Sequence, residues 1–139
     1  MIIPLVENQT AYGGLAAALS AALRREIALR GLRVARGEEE QSTLPRLEVT
    51  MIAVGHEPNI ITVNNQRLTP AERIVSITVS ARLVDDTGAL LAGPVDFTSE
   101  GESLVGQTPL AEESLAEDKR GELLMKLASR VASRFFDSL

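Results

Sequence analysis

Residues 74–84 read Ile-Val-Ser-Ile-Thr-Val-Ser-Ala-Arg-Leu-Val and alternate without a break from Val75 to Leu83. Val75, Ile77, Val79, Ala81 and Leu83 are apolar, and Ser76, Thr78, Ser80 and Arg82 between them are polar. A strand points successive side chains to opposite faces, so this run predicts a sheet with one face packed and one face wetted. Such a sheet needs an apolar layer against it, and amphipathic helices are the usual cover.

The rest of the chain supplies that cover. Ile2 to Val6 reads as a short strand, and Pro4, which has no amide donor, confines it to an edge. Asn8-Gln9-Thr10 turns the chain, and Thr10 is the expected N-cap of a helix from about Ala11 to Arg30. Leu15, Leu19, Leu23 and Ile27 recur every fourth residue as its apolar stripe. Gly31 suits the residue just past the helix end, with Arg24, Arg25 and Arg30 near the negative pole of the dipole. Leu32 to Val34 reads as a short strand, Gly37 to Thr43 as a solvated loop or one frayed helical turn, and Leu47 to Val54 as an alternating strand with Leu47, Val49, Met51 and Ala53 on one face. Gly55 to Ala71 carries Pro58, Asn64-Asn65 and Pro70, and reads as an irregular insert with a short β-prone piece at 60–63. Asp85-Asp86-Thr87-Gly88 is a turn, and residues 89–103 return as a strand interrupted at Gly93-Pro94. Thr108-Pro109 starts a helix to Asp137 with Leu124, Leu127, Ala128, Val131 and Phe135 as its stripe. The order is β-α-β-β-β-β-α. The expected fold is an α/β (α+β) two-layer sandwich. A mixed, mostly antiparallel sheet of about four strands is covered on one face by two amphipathic helices. Residues 1–139 read as a single domain.

Composition narrows the chemistry. The net charge is -5, which speaks against a nucleic-acid binder. Cysteine is absent and His56 is the one histidine, so thiolate or multi-histidine metal sites and Ser-His-Asp chemistry lack their parts. We expect no catalytic residue, no metal and no cofactor. The most apolar stretch, 13–23, is too short to span a ~30 Å hydrocarbon core. Asp86-Thr87-Gly88 spells the core of the aspartic-protease motif, but neither an apolar residue before it nor a glycine-rich flap accompanies it, and a hairpin turn explains the same letters. His56-Glu57 at a strand end is better read as structural or solvated, and the run Glu38-Glu39-Glu40 as solvated. Arginine outnumbers lysine twelve to two. Arg67, Arg73 and Arg82 lie on or beside the insert and the polar sheet face. Guanidinium groups bind phosphate and carboxylate bidentately, so these three are candidates for an anionic head group.

The whole chain resembles the lipopolysaccharide-assembly lipoprotein family, LptE. Residues 2–10, Ile-Ile-Pro-Leu-Val-Glu-Asn-Gln-Thr, are similar to its opening strand and turn. Leu23-Arg24-Arg25-Glu26 through Gly31-Leu32-Arg33-Val34 resembles its first helix and the strand after it. Ile77 to Asp85 followed by Thr87-Gly88 resembles its long strand and hairpin, and Leu124 to Leu139 its closing helix. The resemblance implies a non-enzymatic lipoprotein on the periplasmic side of the outer membrane. It would plug and help assemble an LptD-type β-barrel and contact lipopolysaccharide on its way to the outer leaflet. It also implies a signal peptide, a lipobox Cys and adjacent residues ahead of Met1, so that the membrane is met only through a lipid anchor. On that reading Arg67, Arg73 and Arg82 are the candidate lipopolysaccharide contacts, and Asn64, Asn65 and Gln66 the candidate barrel contacts. The alternative is a periplasmic protein-binding adapter of the kind found in penicillin-binding-protein activators and the N-terminal domain of TolB.

Overall fold

The computed structural model describes residues 2–34, 44–63, 67–104 and 109–137. Its elements run β1 (Ile3–Asn8), α1 (Leu15–Leu29), β2 (Arg46–Val63), β3 (Arg67–Val84), β4 (Leu90–Leu104) and α2 (Pro109–Phe136). The strands form one sheet in the order β1-β2-β3-β4. β1 is parallel to β2, and the other two pairs are antiparallel. This is the expected α+β architecture, a mixed four-stranded sheet that does not close, with β1 and its Pro4 at one edge.

The alternation of 74–84 sets the core. Val75, Ile77, Val79 and Ala81 are buried, as are Leu47, Val49 and Met51 on β2 and Phe97 on β4. Against them pack Leu19, Leu23 and Ile27 of α1 and Leu124, Leu127, Ala128, Val131 and Phe135 of α2, so both helices share one apolar layer with the sheet. Each fully buried aliphatic side chain of this kind is worth about 1.5–3 kcal/mol. The helices run in the same direction. Tyr12, just before α1, lies under the guanidinium of Arg120, while Arg30, just after α1, reaches Asp137 beyond the other end of α2. Where α2 crosses β4 the sheet offers Gly101. A Cβ there would lie 2.9 Å from Lys119 Cδ and 3.3 Å from Leu123 Cδ2, so the missing side chain is what lets the helix approach.

Four expectations are corrected. Gly55 to Ala71 is not irregular where it is described. β2 runs on to Val63 and β3 begins at Arg67, and the two pair along their length, with Pro58 opposite Arg73 and Ile60 opposite Pro70. Proline needs only an extended backbone there, and a register shift between Asn59 and Ile60 absorbs the mismatch. The stretch Leu32 to Val34 is no strand of the sheet but a single parallel bridge, Ile2 to Val34. α1 starts at Leu15, four residues late, because Thr10 is used elsewhere. Its backbone amide (2.8 Å) and hydroxyl (2.6 Å) donate to Asn8 Oδ1, and its Oγ1 accepts from the Tyr12 amide at 3.3 Å. Gly14, at φ 81°, is the N-cap instead. Ala53 does not share the core face of Leu47, Val49 and Met51: it is exposed, while Val54 packs against the core. One extra residue at Ile52 shifts the register between Met51 and Ala53 and reverses the alternation. The expected loop over 37–43 and the expected N-cap Thr108 lie outside the described residues.

Candidate functional site

The candidate arginines all sit on β3, but they do not converge. Arg67 pairs with Val63, Arg73 with Pro58 and Ser103, and Arg82 with Glu48. A strand rises about 3.3 Å per residue, so Arg82 lies roughly 30 Å from Arg73 and about 50 Å from Arg67 along it. Arg67 and Arg73 therefore belong to the arm of the β2–β3 hairpin, which continues past Val75, while Arg82 belongs to the other end of the sheet. The described strands stop at Val63 and Arg67, and Asn64, Asn65 and Gln66 lie outside the described residues.

Arg82 lies on the face of the sheet that the helices leave open. Rows of side chains cross that face: Leu5, Glu48 and Arg82; Glu7, Thr50, Ser80 and Asp96; Thr78 and Thr98; Ser76 and Glu100. Between the first two rows is a depression of about 540 Å³ lined by Leu5, Glu7, Glu48, Thr50, Arg82 and Pro94, among others. Arg82 Nη2 stands 3.3 Å from Glu48 Oε1, so its guanidinium already has a carboxylate partner. The Thr78 and Thr98 hydroxyls meet at 3.0 Å across the strands. Glu7, Asp96 and Glu100 were not singled out from the sequence. Their polar positions are legible in the alternation, but only the strand order brings them onto one surface.

The Asp85–Gly88 turn is structural. Asp85 Oδ1 accepts from the Thr87 amide (2.9 Å), the Thr87 hydroxyl (2.6 Å) and the Ala89 amide (2.9 Å). These bonds, the Thr87 hydroxyl foremost, hold the Asp85 carboxyl below the usual aspartate range. Gly88 takes φ 87°, which a tight hairpin requires. Asp86 is exposed within this turn. Among the described residues no three His, Cys, Asp or Glu side chains are grouped to hold a metal ion. Nor is any described helix long and apolar enough to cross a membrane.

A second polar constellation joins the helices. Arg30 donates from Nε to Asp137 Oδ1 at 2.7 Å, from Nη1 to Glu26 Oε2 at 2.7 Å, and from Nη2 to Ser133 Oγ at 2.8 Å. At the opposite end Arg120 is 5% exposed, donates to Glu113 Oε1 at 2.7 Å, and stacks 4.8 Å from the Tyr12 ring centroid. Its Nη1 is buried without a hydrogen-bond partner. Arg30 is a clasp at the C-terminal ends of both helices, legible in the sequence only as a helix-end charge, whereas Arg120, inside α2, meets Tyr12 ahead of α1, a contact that no sequence pattern announces.

The fold recurs in known structures. A minor lipoprotein from Acinetobacter baumannii aligns over 99% of this chain and 93% of its own, at 12% identity and a TM-score of 0.65. Rare lipoprotein B from Shewanella oneidensis aligns over 98% and 95%, at 13% identity and a TM-score of 0.66. Lipoprotein B from Nitrosomonas europaea aligns over 96% and 83%, at 16% identity and a TM-score of 0.53. At such identities these likenesses show the fold alone. No curated protein sequence matches the chain. The family model described as LptE, lipopolysaccharide-assembly, matches residues 1–139, and with that match over its whole length the chain belongs to the LptE family.

Proposed function

We propose that this protein is a non-enzymatic, lipid-anchored subunit of the lipopolysaccharide translocon, held on the periplasmic side of the outer membrane. In this reading residues 1–139 work as a single domain that plugs an LptD-type β-barrel, helps it assemble and contacts lipopolysaccharide during export. Membership in the lipopolysaccharide-assembly family supports the process. The observation that carries the plug is the β2–β3 hairpin, whose two 18-residue strands continue beyond the Val75 end of the described core of β3. The part of β3 beyond Val75, residues 67–74, reaches about 26 Å, enough to project an arm from a two-layer body into a polar lumen.

The lipopolysaccharide contacts are assigned to Arg67 and Arg73 on that arm, and the barrel contacts to Asn64, Asn65 and Gln66, the residues between its two strands. Arg82 joins the first group only by leaving Glu48, which it faces at 3.3 Å. The test is binding of purified lipopolysaccharide to the Arg67→Gln/Arg73→Gln double variant. Loss of two charge-assisted phosphate contacts weakens binding at least about tenfold with an unchanged melting curve. Unchanged binding refutes the assignment. Deleting residues 59–68 abolishes barrel association on this account, and retained association refutes the hairpin's role.

A further inference from the structure

We propose that the helix-free face of the sheet docks a basic polypeptide segment of the partner protein. This deepens the barrel reading and rests on it for the partner's identity.

The described side chains of this face include five carboxylates, Glu7, Glu48, Asp96, Glu100 and Glu102, against two guanidiniums, Arg46 and Arg82. Glu48 takes up Arg82. The other four carboxylates are exposed, and no ion pair to them is found among the described residues. They lie on both flanks of the sheet, Glu7 on β1 and Asp96, Glu100 and Glu102 on β4. Between them the surface is hydroxyl-rich, with Thr50, Ser76, Thr78, Ser80 and Thr98, and Leu5 stands 44% exposed beside the depression. A centre of small hydroxyl side chains, with Leu5 at one margin and carboxylates on both flanks, leaves room for an extended backbone laid across it and offers it hydrogen bonds.

The charge selects the occupant. A phosphate-bearing lipid meets like charge here, whereas lysine and arginine side chains meet carboxylates on either side of an extended backbone. The edges of the sheet are poorer docking places. β1 carries Pro4 and β4 carries Pro94, each removing an amide donor, and β4 is further interrupted by register shifts beside Ala92. A strand added at β1 or at the Leu90–Pro94 end of β4 finds a broken ladder, and the carboxylates project from the face of the sheet rather than from its edges, so the segment that they hold lies across the face.

The surface is testable without the barrel. The probe is a labelled eight-residue peptide of alternating Lys and Thr, titrated by fluorescence anisotropy at low salt, with a Glu-Thr peptide beside it. The intact chain binds the lysine peptide and not the glutamate one. The triple variant Glu7→Gln/Asp96→Asn/Glu100→Gln weakens binding at least about tenfold, and its melting curve stays unchanged because all three groups are exposed. An equal charge change on α2, Glu117→Gln/Asp118→Asn/Glu122→Gln, leaves binding within about twofold. No binding by the intact chain, or equal losses in the two triple variants, overturns the proposal. Co-purification with the barrel separates the two ideas. A chain that holds the peptide but no barrel refutes the barrel reading alone. A chain that holds the barrel, with the face variant holding it equally well, refutes the docking face alone.

Discussion

Arg30 and Asp137 lie 107 residues apart in sequence and meet at 2.7 Å between Nε and Oδ1. Arg30 closes α1 and Asp137 follows α2, so one guanidinium sits at the negative poles of two parallel helices. It also bonds Ser133 Oγ and Glu26 Oε2, and so joins the two helices that cover the sheet. Removing it in Arg30→Ala lowers stability by about 1–2 kcal/mol, as expected for charge-assisted bonds that are partly open to water. Urea denaturation followed by circular dichroism measures this.

The same clasp gives a pH dependence. Hydrogen bonds from Arg30, then Ser133, depress the folded-state pKa of Asp137. A depressed carboxylate stabilises the fold above its unfolded pKa, about 3.9, and loses that contribution as pH falls through the lower folded value. Asp137→Asn is therefore less stable than the parent at pH 7, and the difference shrinks toward pH 2. Thermal melts across that range give the slope. A difference that grows on acidification contradicts the clasp.

Arg120 behaves in the opposite way. It is a buried guanidinium with one unpartnered nitrogen, so part of its desolvation is uncompensated. Arg120→Met keeps an unbranched apolar stem without the guanidinium and changes stability by less than about 1 kcal/mol in either direction. Comparison with Arg30→Ala in one denaturation series distinguishes a clasp that stabilises from one that only fits.

At Gly93 the backbone has φ 86°, and a Cβ would stand 2.9 Å from the Ala81 carbonyl oxygen. Gly93→Ala combines a left-handed conformation with a backbone clash. It costs about 1–3 kcal/mol. Leu23→Ala, at a side chain with no exposed surface, costs about 2–5 kcal/mol by leaving a cavity between α1 and the sheet. Equilibrium unfolding of both variants checks these values.

The fold was legible wherever side-chain periodicity decided it. Val75 to Leu83 announces its two faces, Pro4 its edge, Pro109 its helix start, and Leu19, Leu23 and Ile27 their stripe. It was illegible where the backbone decided against composition. Pro58 and Pro70 read as breakers, yet both sit in a long hairpin with the extended backbone that proline accepts. Thr10 reads as an N-cap, yet it bonds Asn8 and leaves the cap to Gly14. Ile52 reads as part of a regular strand, yet it is the one residue that reverses it. The open face shows the same limit, because Glu7 and Asp96 share a surface only through strand order, which no local pattern carries.

Residence in the barrel is tested by co-expressing the tagged chain, fused behind a bacterial lipoprotein signal sequence, with the LptD-type barrel of the same organism. Extraction in mild detergent and size exclusion then report stoichiometry. A stable one-to-one complex that survives the column is expected. A folded barrel that elutes apart from a monodisperse chain contradicts it.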